Sequence, residues 1–398
     1  VHTKPTAPAP TILPTHTPEP SPTPTPDPVG EALAGMTVEQ KAAQLLVAGI
    51  EGTEPGEDAV QAVQGYQVGG VILFGRNVES AEQLAALTNG LKELNGDYTP
   101  LFLCVDQEGG RVDRMPPEVT DLPSALDFGS IADPEARMDA CFTLGQTLAA
   151  QCAAFGFNMD FAPSLDIWSN PENTVIGDRA FGTDAATVTG AANETALGIL
   201  SGGVIPVAKH FPGHGDTAVD SHYGLPVVDK SLEELEELEL RPFRQAIDTT
   251  CVYGTYGGDT SIPAIMVAHI LLSQIDPDNP ASLSPEVVTG LLREEMGYEG
   301  VVCTDDLTMG AISNTYGMGE AAVPAVEAGC DLLLVCALVE AVDSGRIPEE
   351  RLDESVRRIL ALKGAYGLIN APVEAPDIEA LNDRIAALER SIEADTSQ

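Results

Sequence analysis

Eight short apolar runs recur along this 398-residue chain, and they restrict its fold more than any other feature. They are Leu45–Ile50, Val71–Phe74, Leu101–Val105, Phe157–Phe161, Val204–Ala208, Ala264–Ala268, Val301–Thr304 and Leu332–Cys336. Each is nearly continuous in apolar side chains instead of alternating, which is how a strand buried on both faces reads. Helix signals fall between most of them. Thr37 with Gln40, Ser80 with Gln83 and Ser231 with Glu234 read as capping boxes, and Ser284-Pro285 reads as an N-cap followed by an N1 proline. Buried strands alternating with helices imply an α/β fold, a parallel sheet closed into a (β/α)8 TIM-type barrel forming one domain over residues 31–370. An open doubly wound sheet is the alternative, but no Gly-x-Gly-x-x-Gly turn follows a first strand.

The ends read differently. From Thr17 to Pro28 a proline stands at nearly every second position, so the segment lacks amide donors and cannot bury a core. Residues 1–30 are therefore expected to be a disordered, Pro/Thr-rich tether, extended like polyproline. Such stalks connect exported domains to a membrane anchor or a wall. No hydrophobic signal precedes it and the chain starts at Val1, so the expectation is a removed targeting segment and an exported, extracellular or cell-surface location, as for a lipoprotein. A cytosolic linker to a lost domain is the plainer reading. Residues 371–398 read as a C-terminal tail, partly helical.

A formal net charge of −41 excludes nucleic acid and anionic membrane as natural partners. The acidic stretch Glu233–Glu239 reads as a solvated helix face. The seven cysteines form no CxxC pair, and Cys104, Cys303 and Cys336 fall in apolar runs, so buried free thiols are expected in place of a disulfide framework.

Chemistry concentrates after the fifth run, in Lys209-His210-Phe211-Pro212-Gly213-His214-Gly215-Asp216-Thr217-Ala218-Val219-Asp220-Ser221-His222. Everything after Ala208 reads as a polar loop at a strand end, with Gly213 and Gly215 as hinge points that leave it mobile. Individually these histidines read as polar loop residues; together with a lysine and two aspartates they form a costly set to gather without a use. A metal site is the next reading. No Glu stands in a His-Glu-x-x-His arrangement and no Cys joins His210, His214 and His222, so neither metal nor cofactor is expected. Asp305, after Val301–Thr304, stands at another strand end, where the plain alternative is a helix cap.

This stretch resembles the signature of family 3 glycoside hydrolases, in the branch of bacterial β-N-acetylglucosaminidases. Further motifs of the family follow in order: Asp106-Gln107-Glu108-Gly109-Gly110-Arg111-Val112 with Arg114 close behind, Val175-Ile176-Gly177-Asp178-Arg179-Ala180-Phe181-Gly182, Met266-Val267-Ala268-His269, and Thr304-Asp305-Asp306-Leu307-Thr308-Met309. The resemblance runs from about Gly35 to Leu368. It implies Asp305 as nucleophile and His222 as acid/base assisted by Asp220. It also implies Asp106, Arg114, Arg179, Lys209 and His210 as sugar-binding residues, with Asp306 as a neighbour of the attacking group.

Physical chemistry is consistent with those roles. A retaining glycosidase needs one carboxylate to attack the anomeric carbon and a second group to protonate the leaving oxygen and later activate water. A histidine oriented by a carboxylate can do the second task, and its ordinary pKa of about 6.5 suits both steps. The resemblance thus implies a β-N-acetylhexosaminidase that removes terminal β-linked N-acetylglucosamine from peptidoglycan-derived or chitin-type oligosaccharides, through a glycosyl-Asp intermediate. The expected partner is an N-acetylglucosamine-containing oligosaccharide or muropeptide, and the chain is expected to act as a monomer. A phosphorylase or β-glucosidase of the same family is the near alternative, because a histidine acid/base does not repel phosphate. A Schiff-base aldolase built on Lys209 and a non-enzymatic module that binds wall carbohydrate are the distant ones.

Overall fold

The computed structural model of the protein describes residues 27–218, 220–221, 224–249, 261–316, 320–335 and 347–396. Each of the eight apolar runs contributes a strand: β1 (Leu46–Gly49), β2 (Gly70–Ile72), β3 (Phe102–Val105), β4 (Met159–Asp160), β5 (Ile205–Phe211), β6 (Ala264–Val267), β7 (Val301–Thr304) and β8 (Leu333–Val335). All pairings are parallel, in the order β8-β1-β2-β3-β4-β5-β6-β7. The two ends meet through the bridge Cys303–Leu332, where Thr304 N–H donates to the Leu332 carbonyl at 3.0 Å. The sheet thereby becomes a (β/α)8 barrel. Every residue of these eight strands is buried, because barrel side chains cover one face and helices the other.

Local sequence explains the helices. Thr37 and Gln40 form the reciprocal cap of α2 (Val38–Gln44), and Ser231 and Glu234 that of α6 (Leu232–Glu237). Ser80 caps α3 (Ala81–Asn95) through the Gln83 amide, but the Gln83 side chain turns to the Glu79 amide instead of back to Ser80. The acidic stretch after Ser231 departs from a fully solvated face. Glu239 is buried and takes Lys230 at 2.5 Å.

Helix α1 (Pro28–Ala34) starts inside the stretch read as tether. Asp27 accepts from the Gly30 amide at 2.8 Å and pairs with Arg357 of α8 (Glu349–Ala365), so the last proline of the repeat serves as an N1 residue and does not prolong an extended chain. The rest of the tether, residues 1–26, lies outside the described residues. At the other end α9 (Ile378–Thr396) packs on α4 (Pro134–Ala154), burying Leu381, Ile385 and Leu388. Cys104 and Cys303 are buried free thiols; Cys336 lies outside the described residues.

Candidate active site

Barrel enzymes do chemistry at the C-terminal ends of their strands. Here that end holds a cavity of about 260 Å3. Asp106 follows β3 directly and Asp305 follows β7 directly, while Lys209 and His210 belong to β5 itself. All four line the cavity with Arg114 and Arg179. Six of the eight residues singled out from the sequence are thus brought together. Asp220 stands beside the lining residue Ser221, and His222 lies outside the described residues.

Strand β5 corrects the reading that it ends at Ala208. Backbone pairing continues to Phe211: the Lys209 amide donates to the Pro163 carbonyl at 3.2 Å and the Ala268 amide to the Phe211 carbonyl at 2.9 Å. A polar side chain ends the apolar run but does not end the ladder. Pairing runs from Ala208–Ile265 to Phe211–Val267, three steps against two. This bulge breaks the alternation of a regular strand, so the neighbours Lys209 and His210 both reach the cavity.

Lys209 Nζ donates to Asp106 Oδ1 at 2.5 Å and to Glu108 Oε1 at 2.7 Å. Glu108 also takes Arg179 with both oxygens, from Nε at 2.9 Å and Nη2 at 2.7 Å. Burial works to raise the Glu108 carboxyl, but Arg179 and Lys209 outweigh it and hold Glu108 far below the usual carboxylate range. Burial likewise opposes the Lys209 ammonium, and Asp106 and Glu108 reverse the sign, raising its pKa above the ordinary lysine value.

A second buried carboxylate orders the histidines. Asp166 Oδ2 lies 2.6 Å from His210 Nδ1, and its Oδ1 accepts the His214 amide at 2.6 Å. Burial would raise Asp166, yet the charges and hydrogen bonds of His210 and His214 bring it down to about 2. His214 is sunk among Asp166, Thr217 and Ser221, and burial, aided by His210, lowers it to about 4, so it is neutral near pH 7. The motif reading passed over Glu108 and Asp166 as site residues. Glu108 lies within one of the quoted motifs, whereas Asp166 carries no signal beyond following β4.

The half-buried Asp305 faces this array across the cavity. Burial pushes its carboxyl up, but His269, His210, the Asp306 amide and Lys209 together hold it below the ordinary aspartate value. It is therefore ionised at neutral pH. Asp306 also lines the cavity, but its Oδ1 is engaged by the Thr308 amide at 2.9 Å and the Thr308 hydroxyl at 2.8 Å, and its carbonyl lies 2.9 Å from His269 Nε2. The two neighbouring aspartates are thus unequal: Asp306 is committed to its own turn.

The two glycines read as hinges sit at close contacts, while residues 219, 222 and 223 of the same loop lie outside the described residues. A Cβ on Gly215 would lie 1.7 Å from the Ile167 carbonyl oxygen, and one on Gly213, at φ 130°, would meet the Glu239 side chain at 2.7 Å. These glycines permit close contact, and the Asp166–His214 hydrogen bond pins the segment between them.

The family description "Glycosyl hydrolase family 3 N terminal domain" matches residues 37–362, most of the chain and all of the barrel strands. The chain belongs to glycosyl hydrolase family 3. As a family 3 glycoside hydrolase it has named relatives that span most of its length. A beta-hexosaminidase from Nitrosomonas eutropha is 35% identical over 331 residues, which cover 79% of this chain and 91% of that one. Among solved structures, a family 3 beta-N-acetylglucosaminidase from Paenibacillus sp. FPU-7 superposes with a TM-score of 0.81 at 40% identity, over 90% of this chain and 69% of that one. NagZ from Neisseria gonorrhoeae, solved with N-trifluoroacetyl-D-glucosamine, gives a TM-score of 0.70 at 31% identity, over 87% of this chain and 98% of that one.

Proposed function

We propose that this family 3 enzyme is a retaining β-N-acetylhexosaminidase that releases terminal β-linked N-acetylglucosamine from wall-derived or chitin-type oligosaccharides. The observation that carries the reading is Asp305: an ionised carboxylate at the end of β7, facing the Asp106–Lys209–Glu108–Arg179 array across one cavity. The names of the relatives support the choice of sugar.

In this reading Asp106, Arg114, Arg179, Lys209 and His210 hold the sugar hydroxyls. Asp305 attacks the anomeric carbon as the bond to the leaving oxygen breaks, and His222, oriented by Asp220, gives that oxygen its proton. His222 then takes a proton from water as the water cleaves the glycosyl–Asp305 ester. The histidine ends as it began, and the product keeps the β-configuration. We also propose an exported protein held at the cell surface by its proline-rich N-terminal segment, a reading that rests on composition alone.

A fluorinated N-acetylglucosaminyl donor, slow to leave the enzyme, tests the assignment. Mass spectrometry should find the label on the peptide containing Asp305; a label on Asp106 or Asp306 sinks it. Turnover of an aryl β-N-acetylglucosaminide should exceed that of the matching β-glucoside, and added phosphate should not divert the product to a sugar phosphate.

A further inference from the structure

A second pocket, of about 270 Å3, opens on the opposite face of the barrel from Asp305. It lies at the N-terminal ends of the first three strands, where Gln44 stands just before β1, Gln67 just before β2 and Thr99 just before β3. Carboxamides supply four of its ten lining residues, Gln40, Gln44, Gln67 and Asn95, and most of the others are small or apolar, beside Tyr98 and Glu31.

The amides are held from beneath. Gln67 has φ 60°, a left-handed conformation that glycine or asparagine usually fills. Gln40 Nε2 donates to its side-chain oxygen at 3.1 Å and Gln44 Nε2 to its carbonyl at 2.9 Å. Gln44 Oε1 in turn accepts from the buried Lys363 at 3.0 Å, and Asn95 donates to Asn370 Oδ1 at 3.1 Å. Gln67 closes the helical turn Gln61–Tyr66 as its left-handed cap, its amide donating to the Ala62 carbonyl.

The rim adds aromatic surface. Tyr98, part of the lining, is 45% exposed.

These features select a class of ligand. The lining holds one carboxylate and no cation, so it does not favour anions. It is too polar for an acyl chain or an apolar helix face. Carboxamides donate and accept at once, which matches hydroxyl and acetamido groups. Exposed tyrosine faces carry partial negative charge that attracts the polarised C–H faces of pyranose rings. The volume is close to the lower end of ligand pockets, about 300 Å3, which suits one or two sugar units. We propose that this pocket is a non-catalytic binding site for a neutral oligosaccharide, holding a glycan strand on the face away from the chemistry. The proposal is independent of the reaction assigned to Asp305.

The test is calorimetric titration of the full-length Asp305→Asn protein with the trimer of N-acetylglucosamine, repeated with cellotriose. Tyr98→Ala and Gln67→Gly are then added separately. The glycine suits the left-handed backbone, so it removes the amide without straining the fold. The expected result is a binding event whose Kd weakens at least ten-fold in both variants, while each of the two substitutions, made alone in the active enzyme, leaves kcat/KM for an aryl glycoside unchanged. A single event weakened by these variants supports the pocket even if the catalytic cavity binds no sugar, in which case the hydrolase reading fails and this one stands. Binding that ignores both substitutions, or no binding beyond the Asp305 cavity, overturns it.

Discussion

Glu108 and Arg179 meet side-on, with Nε and Nη2 of the guanidinium each donating to a different oxygen of the same carboxylate, at 2.9 and 2.7 Å. Lys209 shares one of those oxygens. Two cations can therefore stand in one cavity without repelling each other apart, and Glu108 positions both of them.

Glu108→Gln keeps the shape and removes the charge. Removing one partner of a buried pair typically costs about 3–5 kcal/mol, and kcat/KM should fall with stability as Lys209 and Arg179 lose their placement. The pH dependence separates Glu108 from a mere packing residue. Glu108 and Asp166 titrate in the fold below their ordinary values of 4.5 and 3.8. Their stabilisation is complete above those values and is lost as pH falls through them, toward about 2 for Asp166 and lower still for Glu108. The parent should lose denaturation free energy across that window, and Glu108→Gln should lose less. Equal acid slopes in both proteins would argue against the assignment.

Asp160 should behave in the opposite sense. Its burial pushes the carboxyl well above 3.8, and Oδ2 has no hydrogen-bond partner among the described residues. A raised carboxyl binds its proton in the fold, so its stability penalty grows as pH rises from 3.8 toward the folded value. Asp160→Asn mimics the protonated form and keeps the acceptor for the Gln107 amide at 2.9 Å. Urea denaturation should find the variant more stable than the parent at pH 7, with the difference shrinking by about 1.4 kcal/mol per pH unit on acidification. A variant less stable at pH 7 would contradict the buried neutral acid.

The barrel was legible because eight apolar runs each had to become a buried strand, and each did. The extension of β5 through Lys209 and His210 was not, since hydrophobicity reports burial in apolar surroundings and these side chains are buried among charges. Asp166 reads in the sequence like any turn aspartate, and only the third dimension brings His210 and His214 to its two oxygens. Glu239 looked solvated within an acidic stretch, but Lys230 neutralises it below the surface. The inequality of Asp305 and Asp306 rested on resemblance alone until the hydrogen bonds of Thr308 gave it a cause.

Gly215→Ala tests the close contact behind the loop. The new methyl would stand 1.7 Å from the Ile167 carbonyl, so backbone must shift, and the shift displaces His214 from Asp166. Overpacking of this kind costs about 1–3 kcal/mol. A lower melting temperature together with a clear fall in kcat/KM is expected. An unchanged variant would argue against the close contact and favour the hinge reading of this glycine.

His222 should matter most for poor leaving groups. A general acid contributes about 10²–10⁴-fold only where the departing oxygen needs a proton. His222→Ala should be severe on natural disaccharides and mild in the first step on nitrophenyl glycosides, with the second step then limiting. Asp220→Ala should follow the same trend more weakly. Pre-steady-state rates across leaving groups of graded pKa decide this; a uniform loss would make His222 a binding residue.

The single surplus residue in β5 has a corollary. Point substitution alters what a side chain is, but which side chains look inward along a strand is set by counting. The adjacent Lys209 and His210 stand where that count is uneven, and both line the cavity. A deletion of one residue between Ala208 and Phe211 would even the count against β6 and turn one of the two neighbours away.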